Sequence, residues 1–163
     1  MVDCLIKGGG DYDCVYVDSM LGWLAKMLRI VFGLVVYYKN DVDDSELLQT
    51  KCLVVTRDWE LFRQRKPPAM FFATDDHVKW IAAFLRQGLA PFVESRCPQC
   101  GGVLKEYSCK DAEGVVGHAI RSSKCWRCVE CGHVYWVGSH WRSLKRLVEE
   151  ARRVEVICTA VEY

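Results

Sequence analysis

Two CxxC pairs limit the folds open to this 163-residue chain more than any other feature. CPQCGG occupies residues 97–102 and CVECGH residues 128–133, so that 27 residues separate the two pairs. This arrangement is typical of a zinc ribbon, in which each pair lies on a tight turn at the tip of a hairpin. Four thiolates would leave no position for water, so the pattern predicts a structural zinc site.

A third cysteine near the second pair makes the choice of ligands ambiguous. In KCWRCVECGHVYW, Cys125, Cys128 and Cys131 stand at successive third positions, so two overlapping CxxC pairs are possible. A glycine directly after the second cysteine relaxes the backbone of such a turn. Gly101 and Gly132 hold this position, whereas a valine follows Cys128. The predicted zinc ligands are therefore Cys97, Cys100, Cys128 and Cys131.

The other cysteines lack this spacing. Cys125 becomes a spare thiol on the strand that leads into the second turn, and Cys109, His118 and His133 remain weaker alternatives as ligands. An even total of 10 cysteines would suggest a disulfide framework in a secreted chain. We interpret the scattered cysteines mainly as small buried apolar residues, with intracellular disulfides as the alternative. These scattered residues are Cys4, Cys14, Cys52, Cys109 and Cys158.

Composition and charge limit the class of protein to which this chain can belong. No apolar run approaches the roughly 20 residues that span a bilayer. The opening MVDCLIKGGGDYD carries acidic residues where a signal peptide would be basic. The formal net charge of +1 argues against a strongly basic coat for nucleic acid. We expect a folded cytoplasmic protein that does not bind membranes.

Residues 1–96 alternate short β-rich runs with helical patterns, which is typical of an α/β domain with a mostly parallel sheet. The runs CVYVD, LVVYY, CLVVT and AMFFAT predict four strands. The first connecting helix is predicted to begin behind a Ser19 cap and to end at Gly33. The whole pattern predicts a central sheet flanked by helices.

The rest of the chain has a different character. Residues 97–138 have scattered glycines and no helical period, and they predict a small hairpin module around the zinc site. Residues from about 139 to 153 place apolar and basic side chains on opposite sides of a final helix, and VEVICTAVEY could add a strand. We therefore divide the chain into 1–96, 97–138 and 139–163, the last packing on the ribbon or on the first domain.

Acidic residues stand at the ends of several predicted strands. Asp18 follows the first strand, Asp58 the third, and Asp75 or Asp76 the fourth. Each one alone is simply explained as a helix N-cap. Because parallel strands bring their carboxyl ends to one edge of the sheet, we expect the acids to converge there. Asp44 and Glu46 would lie on the same edge.

Such a cluster of carboxylates is best explained by hard divalent cations. Mg²⁺ and Mn²⁺ take oxygen ligands, and ions of this kind activate water in phosphodiester hydrolysis. Lys26 and Arg29 share a helix face with Ser19 and could hold phosphates beside the metal, although a solvated cationic face explains them equally well.

Aromatic residues crowd around the second cysteine pair. These side chains could stack on unpaired bases, or they could pack the ribbon against the final helix. We favour packing for Trp136 and Trp141 and leave the role of His140 open. The group consists of Trp126, Tyr135, Trp136, His140 and Trp141.

Several stretches together resemble the Mut-seven C-terminal RNase domain family, which has a PIN-like nuclease fold with a zinc ribbon. The resemblance implies an acidic, metal-dependent RNase site at Asp18, Asp44, Glu46 and Asp58, with Asp75 a weaker member. Arg57 belongs to the same matched stretch, while Lys26 stands where arginine is more usual. The matching stretches are VDSMLGWLAKMLR (17–29), DDSELL (43–48), VVTRDWEL (54–61), SRCPQC (95–100) and CGHVYWVGSHW (131–141).

The leading hypothesis is a metal-dependent endoribonuclease. Asp18, Glu46 and Asp58 would bind one or two Mg²⁺ or Mn²⁺ ions, and the ribbon and the basic final helix would position the RNA. One alternative is a non-catalytic RNA- or ribosome-binding module whose acids serve only as caps. Another is a PIN and zinc-ribbon endonuclease of ribosomal-RNA maturation. The sequence leaves a homo-oligomer or a regulatory partner open.

Overall fold

The central feature of the fold is a six-stranded sheet. The computed structural model describes residues 1–8 and 11–162. The sheet strands are β1 (Cys4–Lys7), β2 (Val15–Val17), β3 (Val36–Tyr37), β4 (Leu53–Thr56), β5 (Ala69–Phe72) and β9 (Cys158–Ala160). Their order across the sheet is β3-β2-β4-β5-β1-β9. Strands β3, β2, β4 and β5 are parallel, β1 runs antiparallel to β5, and β9 is parallel to β1.

The described part of the chain forms α-helices α1 (Gly22–Phe32), α2 (Asp44–Gln49), α3 (Trp59–Gln64), α4 (His77–Arg86), α5 (Cys109–Val116) and α6 (Ser139–Arg153). The predicted mostly parallel α/β fold is confirmed. Strands β2 and β4 are buried along their whole length, as expected for parallel strands covered by helices on both faces. Helix α6 has the predicted bounds, and its Val148 and Ala151 are buried in the main core.

The first connecting helix differs from the prediction at its start. Asp18, not Ser19, is the cap: its side chain accepts a hydrogen bond from the Ser19 N–H of a short 3-10 helix over Ser19–Leu21, and α1 follows from Gly22. The end at Gly33 is confirmed. Gly33 has a φ of 64°, and a Cβ there would lie 1.8 Å from the Glu94 carbonyl oxygen, so only glycine fits.

The zinc-ribbon segment forms its own antiparallel sheet from β6 (Leu104–Tyr107), β7 (Cys125–Cys128) and β8 (Val134–Trp136). Helix α5, between β6 and β7, contradicts the expectation of a segment without helix. Ser108 caps it and Gly117 ends it in a left-handed conformation. It is hard to predict because it is only 8 residues long and fully buries one side chain, Ala112.

The scattered cysteines form disulfides, so the disulfide alternative is correct and our main interpretation of them as small buried apolar residues was wrong. Their partners lie far apart in sequence and meet only through the fold: Cys4 and Cys158 are opposite one another in the β1–β9 register. Because disulfides are uncommon in most cytosolic proteins, the cytoplasmic location stays a prediction. The pairs are Cys4–Cys158, Cys14–Cys52 and Cys109–Cys125.

Across residues 1–8 and 11–162, no helix has both the length and the apolar character that crossing a membrane requires.

Candidate active site and metal centre

Four cysteines converge at one end of the ribbon. The Sγ atoms of Cys97, Cys100, Cys128 and Cys131 all lie within 4.8 Å of one another. The Cys97–Cys131 and Cys100–Cys128 pairs are 3.6 and 3.4 Å apart. A tetrahedral zinc ion with Zn–S bonds of about 2.3 Å needs sulfur atoms nearly 3.8 Å apart. The predicted ligands therefore form a group that can hold zinc.

The two cysteine turns have the same backbone geometry, as the glycine rule predicted. Gly101 and Gly132 have φ angles of 81° and 80°. The N–H of Gly101 donates to the Cys97 carbonyl at 2.7 Å, and that of Gly132 donates to the Cys128 carbonyl at 3.1 Å. The left-handed conformation closes each turn so that both of its thiols face the same centre.

The alternative ligands lie outside this group of four thiols. Cys125 lies on β7, as predicted, and forms a disulfide with Cys109, so neither is free to bind the metal. His118 packs edge-on against Trp136. His133 lies beside the cluster, with its Nδ1 3.5 Å from the Cys131 Sγ.

The thiols differ in their ease of ionisation. Burial raises the pKa of Cys100 to about 12. Burial also opposes ionisation of Cys128, but hydrogen bonds from the N–H groups of Cys131 and Glu130 outweigh it and hold the pKa of Cys128 at about 7. Because a zinc ligand must be a thiolate, metal binding to this cluster releases protons.

Arg29 fastens the ribbon to the first domain. Its guanidinium donates to the carbonyls of Pro98 at 3.1 Å, Gln99 at 3.4 Å and Val36 at 2.8 Å, and the residue is only 7% exposed. The structure does not support the predicted phosphate contact at Arg29, because the guanidinium is committed to these backbone oxygens. Arg29 instead fixes the first cysteine turn against α1 and β3.

The acidic edge of the sheet is organised around Asp18, which is only 6% exposed. Tyr16 pairs with Val54 and Val17 with Val55 in the β2–β4 register, which places Asp18 beside Thr56. The Thr56 hydroxyl donates to the Asp18 Oδ2 at 2.6 Å, while the Asp18 Oδ1 accepts from the Ser19 N–H at 2.7 Å. Among the described residues, no ion pair involves Asp18.

Asp58 joins the same network through Thr56. Its N–H donates to the Thr56 hydroxyl at 2.9 Å, so one buried hydroxyl links the backbone of Asp58 to the carboxylate of Asp18. The Asp58 Oδ1 caps α3 by accepting from the N–H groups of Glu60 and Leu61. The capping explanation is therefore correct for Asp58, and its second carboxylate oxygen has no hydrogen-bond partner in the described part of the chain.

Glu46 is attached to the sheet through Tyr16. The Tyr16 hydroxyl donates to the Glu46 Oε2 at 2.8 Å, and Lys39 Nζ donates to Oε1 at 2.7 Å. Hydrogen bonds from Lys39 and then from Tyr16 lower the pKa of Glu46. Asp44 is exposed in the first turn of α2, on the same short helix as Glu46.

The remaining predicted residues lie around this edge or along α1 and α6. Asp75 is exposed after β5, and its neighbour Asp76 is the residue that caps α4. Arg57 is exposed and donates from Nε to the Phe72 carbonyl at 3.3 Å. Lys26 and His140 are exposed on the rim of a large groove.

The acids do not close on a shared centre as the cysteines do. Within residues 1–8 and 11–162, the four cysteines are the only group of three or more His, Cys, Asp or Glu side chains with ligand atoms close enough to share an ion. Sequence reasoning also missed Thr56 and Tyr16, which orient Asp18 and Glu46. Thr56 lies in VVTRDWEL, one of the stretches that resemble the family, and its place there could have identified it as a site residue.

Comparison with known proteins agrees with this architecture. A family model described as Mut7-C RNAse domain matches residues 14–148, which is most of the chain. Searches of curated proteins and of solved structures gave no match. The family match indicates a ribonuclease-type function with RNA as the substrate. It spans the acidic edge and all four clustered cysteines, and the chain belongs to the Mut7-C RNAse domain family.

Proposed function

We propose that the protein is a metal-dependent endoribonuclease whose active site lies at the carboxyl ends of β2 and β4. The observation that carries the proposal is Asp18, a buried carboxylate that no basic side chain neutralises in the described part of the chain. Buried charges in proteins are normally paired or bound to metal ions. The chain belongs to a ribonuclease family, and a divalent ion at Asp18 would both balance this charge and supply the chemistry of phosphodiester hydrolysis.

The chemistry of the donors fits a hard cation. Asp18, Glu46 and Asp58 would hold Mg²⁺ or Mn²⁺, since all three offer carboxylate oxygens and none is a nitrogen or sulfur ligand. When bound, such an ion activates water and stabilises the leaving oxygen of a phosphodiester. Glu46 would turn toward this ion by giving up its pair with Lys39, which is exposed and therefore weak, and its hydrogen bond from Tyr16.

The other residues of the edge orient the site and the RNA. Thr56 fixes one Asp18 oxygen and the Asp58 backbone at the same time, which keeps both carboxyl groups at the strand ends. Asp44 and Asp75 add negative charge at the rim. We assign RNA contacts to Ser19, Lys26, Arg57 and His140, and a structural role to the zinc ribbon. The division into 1–96, 97–138 and 139–163 remains part of this proposal.

The experiment is a cleavage assay with purified, zinc-loaded protein and end-labelled single-stranded and structured RNAs. We expect internal cleavage when Mn²⁺ or Mg²⁺ is added and none when both are omitted, because the bound ion would activate the attacking water and stabilise the leaving oxygen. Cleavage at an unchanged rate without either ion would contradict the proposed metal dependence.

A second candidate is a non-catalytic RNA-binding module with the same fold. It is favoured by the capping roles of Asp18 and Asp58, and by the fact that the acids of the described residues form no group close enough to share an ion. Titration with Mn²⁺ separates the two. Saturable Mn²⁺ binding that is lost when Asp18 is replaced supports the nuclease. RNA binding by a protein without such a Mn²⁺ site supports the non-catalytic module.

A further inference from the structure

A groove of about 1160 Å³ runs between α1, the ribbon and α6. Its walls are rich in aromatic rings that are only partly buried: Trp23 from α1, Trp126 and Tyr135 from the ribbon, and Trp141 from α6. The Trp126 and Trp141 rings are nearly parallel, at 22°, with centroids 6.4 Å apart. The exposed parts of such rings can stack on planar ligands, although Trp23 and Trp141 also pack against the core.

A second cavity, of about 590 Å³, lies beside this groove. Both cavities are lined by Trp23, Lys26, Pro98 and Gln99, so the two cavities adjoin and their linings together form one path. The second cavity is also lined by Tyr38 and Lys39. Lys39 contacts Glu46, and the Tyr38 hydroxyl donates to the carbonyl of Ser19, the neighbour of Asp18. Through Tyr38 and Lys39 the path therefore contacts residues that lie at the proposed active site.

The charges along this path favour an anionic ligand. Its lining contains the basic residues Lys26, Arg29, Lys39 and Arg96 and one acidic residue, Glu94. Arg29 and Arg96 are held by backbone carbonyls. The exposed Lys26 and Lys39 are the cations that can reach a bound polyanion, since the exposed pair of Lys39 with Glu46 is weak.

We propose that this groove binds a single-stranded RNA segment, with phosphates at Lys26 and Lys39 and unpaired bases on the aromatic walls. The inference rests on the proposed nuclease function and adds its substrate class. Phosphates beside cations and bases beside aromatic rings are the two contacts that single-strand-binding proteins combine. A duplex keeps its bases stacked and paired, so it cannot use the aromatic walls.

The test is fluorescence anisotropy with a labelled uridine strand of about 12 nucleotides and with the same strand in a duplex. Zinc-loaded protein is used without added Mg²⁺ or Mn²⁺, so that binding is measured apart from cleavage. We expect tighter binding of the single strand. The Lys26→Gln, Lys39→Gln double variant should weaken it and reduce the slope of log K against log salt by about 1.4. Trp126→Leu should weaken it about fivefold or more.

Lys51→Gln is the matched control. Lys51 is exposed just before β4, at the opposite end of the strand from Thr56, and its replacement should leave the affinity unchanged. Because Lys26 and Lys39 are exposed, their double variant tests the groove even if Trp126→Leu fails to fold. Equal binding of single strand and duplex, or an affinity and salt slope that the double lysine variant leaves unchanged, would overturn the inference.

The same experiment separates this inference from the nuclease proposal. If the protein cleaves RNA in a metal-dependent way but the Lys26→Gln, Lys39→Gln variant binds the single strand as tightly as the unmodified protein, the nuclease proposal stands. The same result would overturn the proposal that the groove binds RNA. Groove-dependent binding of the single strand without cleavage in Mn²⁺ would overturn the nuclease and support the groove as an RNA-binding surface. If an apolar peptide binds tightly in the groove and the uridine strand does not displace it, the proposal that the groove binds RNA would be overturned.

Discussion

Replacing Cys128 with serine is expected to abolish zinc binding and to unfold the ribbon. Cys128 is buried, and its Sγ lies 3.4 Å from that of Cys100, so the hydroxyl of serine would remove one thiolate from a closed set of four. Structural zinc contributes about 10–16 kcal/mol of apparent binding free energy in small zinc domains, and folding of such modules depends on it. The measurement is zinc content by mass spectrometry after dialysis, together with thermal unfolding.

The matched control is the Cys109→Ser, Cys125→Ser double variant. It removes two cysteines from the same ribbon but only breaks their disulfide, so the four clustered thiols stay in place. We expect this variant to keep its zinc and to lose stability by about 2–4 kcal/mol. Full zinc content in Cys128→Ser, or loss of zinc from the double variant alone, would contradict the ligand assignment.

The Asp18→Asn, Asp58→Asn double variant is expected to lose at least about 10³-fold in the rate of RNA cleavage. That loss corresponds to half or less of the barrier reduction behind the 10⁶-fold or greater acceleration typical of enzymes. Asparagine keeps a carbonyl oxygen that can cap a helix, so the hydrogen bonds from Ser19 to residue 18 and from Glu60 to residue 58 can persist. The substitution mainly removes the two negative charges that would bind the metal. Initial cleavage rates in Mn²⁺ give the measurement.

Asp111→Asn serves as the control for this pair. Asp111 is an exposed aspartate in the first turn of α5, in the ribbon and away from the sheet edge. Its replacement should leave cleavage unchanged. If the double variant cleaves RNA as fast as the unmodified protein, the strand-end carboxylates have no catalytic role.

Local sequence signals were sufficient for much of the fold. The runs CVYVD and CLVVT became β2 and β4, and the amphipathic pattern gave α6 its observed bounds. The glycines after Cys100 and Cys131 selected the correct cysteines, because a tight turn constrains the residue that follows it. Helix α5 and strand β1 escaped detection, since each is short and buries few side chains.

The contacts that sequence could not supply are those between distant segments. The Cys4–Cys158 disulfide joins residues 154 positions apart. Arginine is a residue type that often binds phosphate, so sequence alone predicted that role for Arg29. Only its burial and its hydrogen bonds to the carbonyls of Pro98 and Gln99 show that it holds the ribbon. The link from Thr56 to Asp18 depends on the register of β2 against β4, which no local pattern specifies.

The most direct measurement of the central claim is a crystal soaked in Mn²⁺ and measured for anomalous scattering. The strand-end carboxylates are proposed to be a metal site, although they lie further apart than the four cysteines. We expect an anomalous peak within coordination distance of the carboxylate oxygens of Asp18 and Asp58, with Glu46 turned toward it and away from Lys39. A soaked crystal with no Mn²⁺ at these carboxylates, in a protein that still cleaves RNA, would contradict the account.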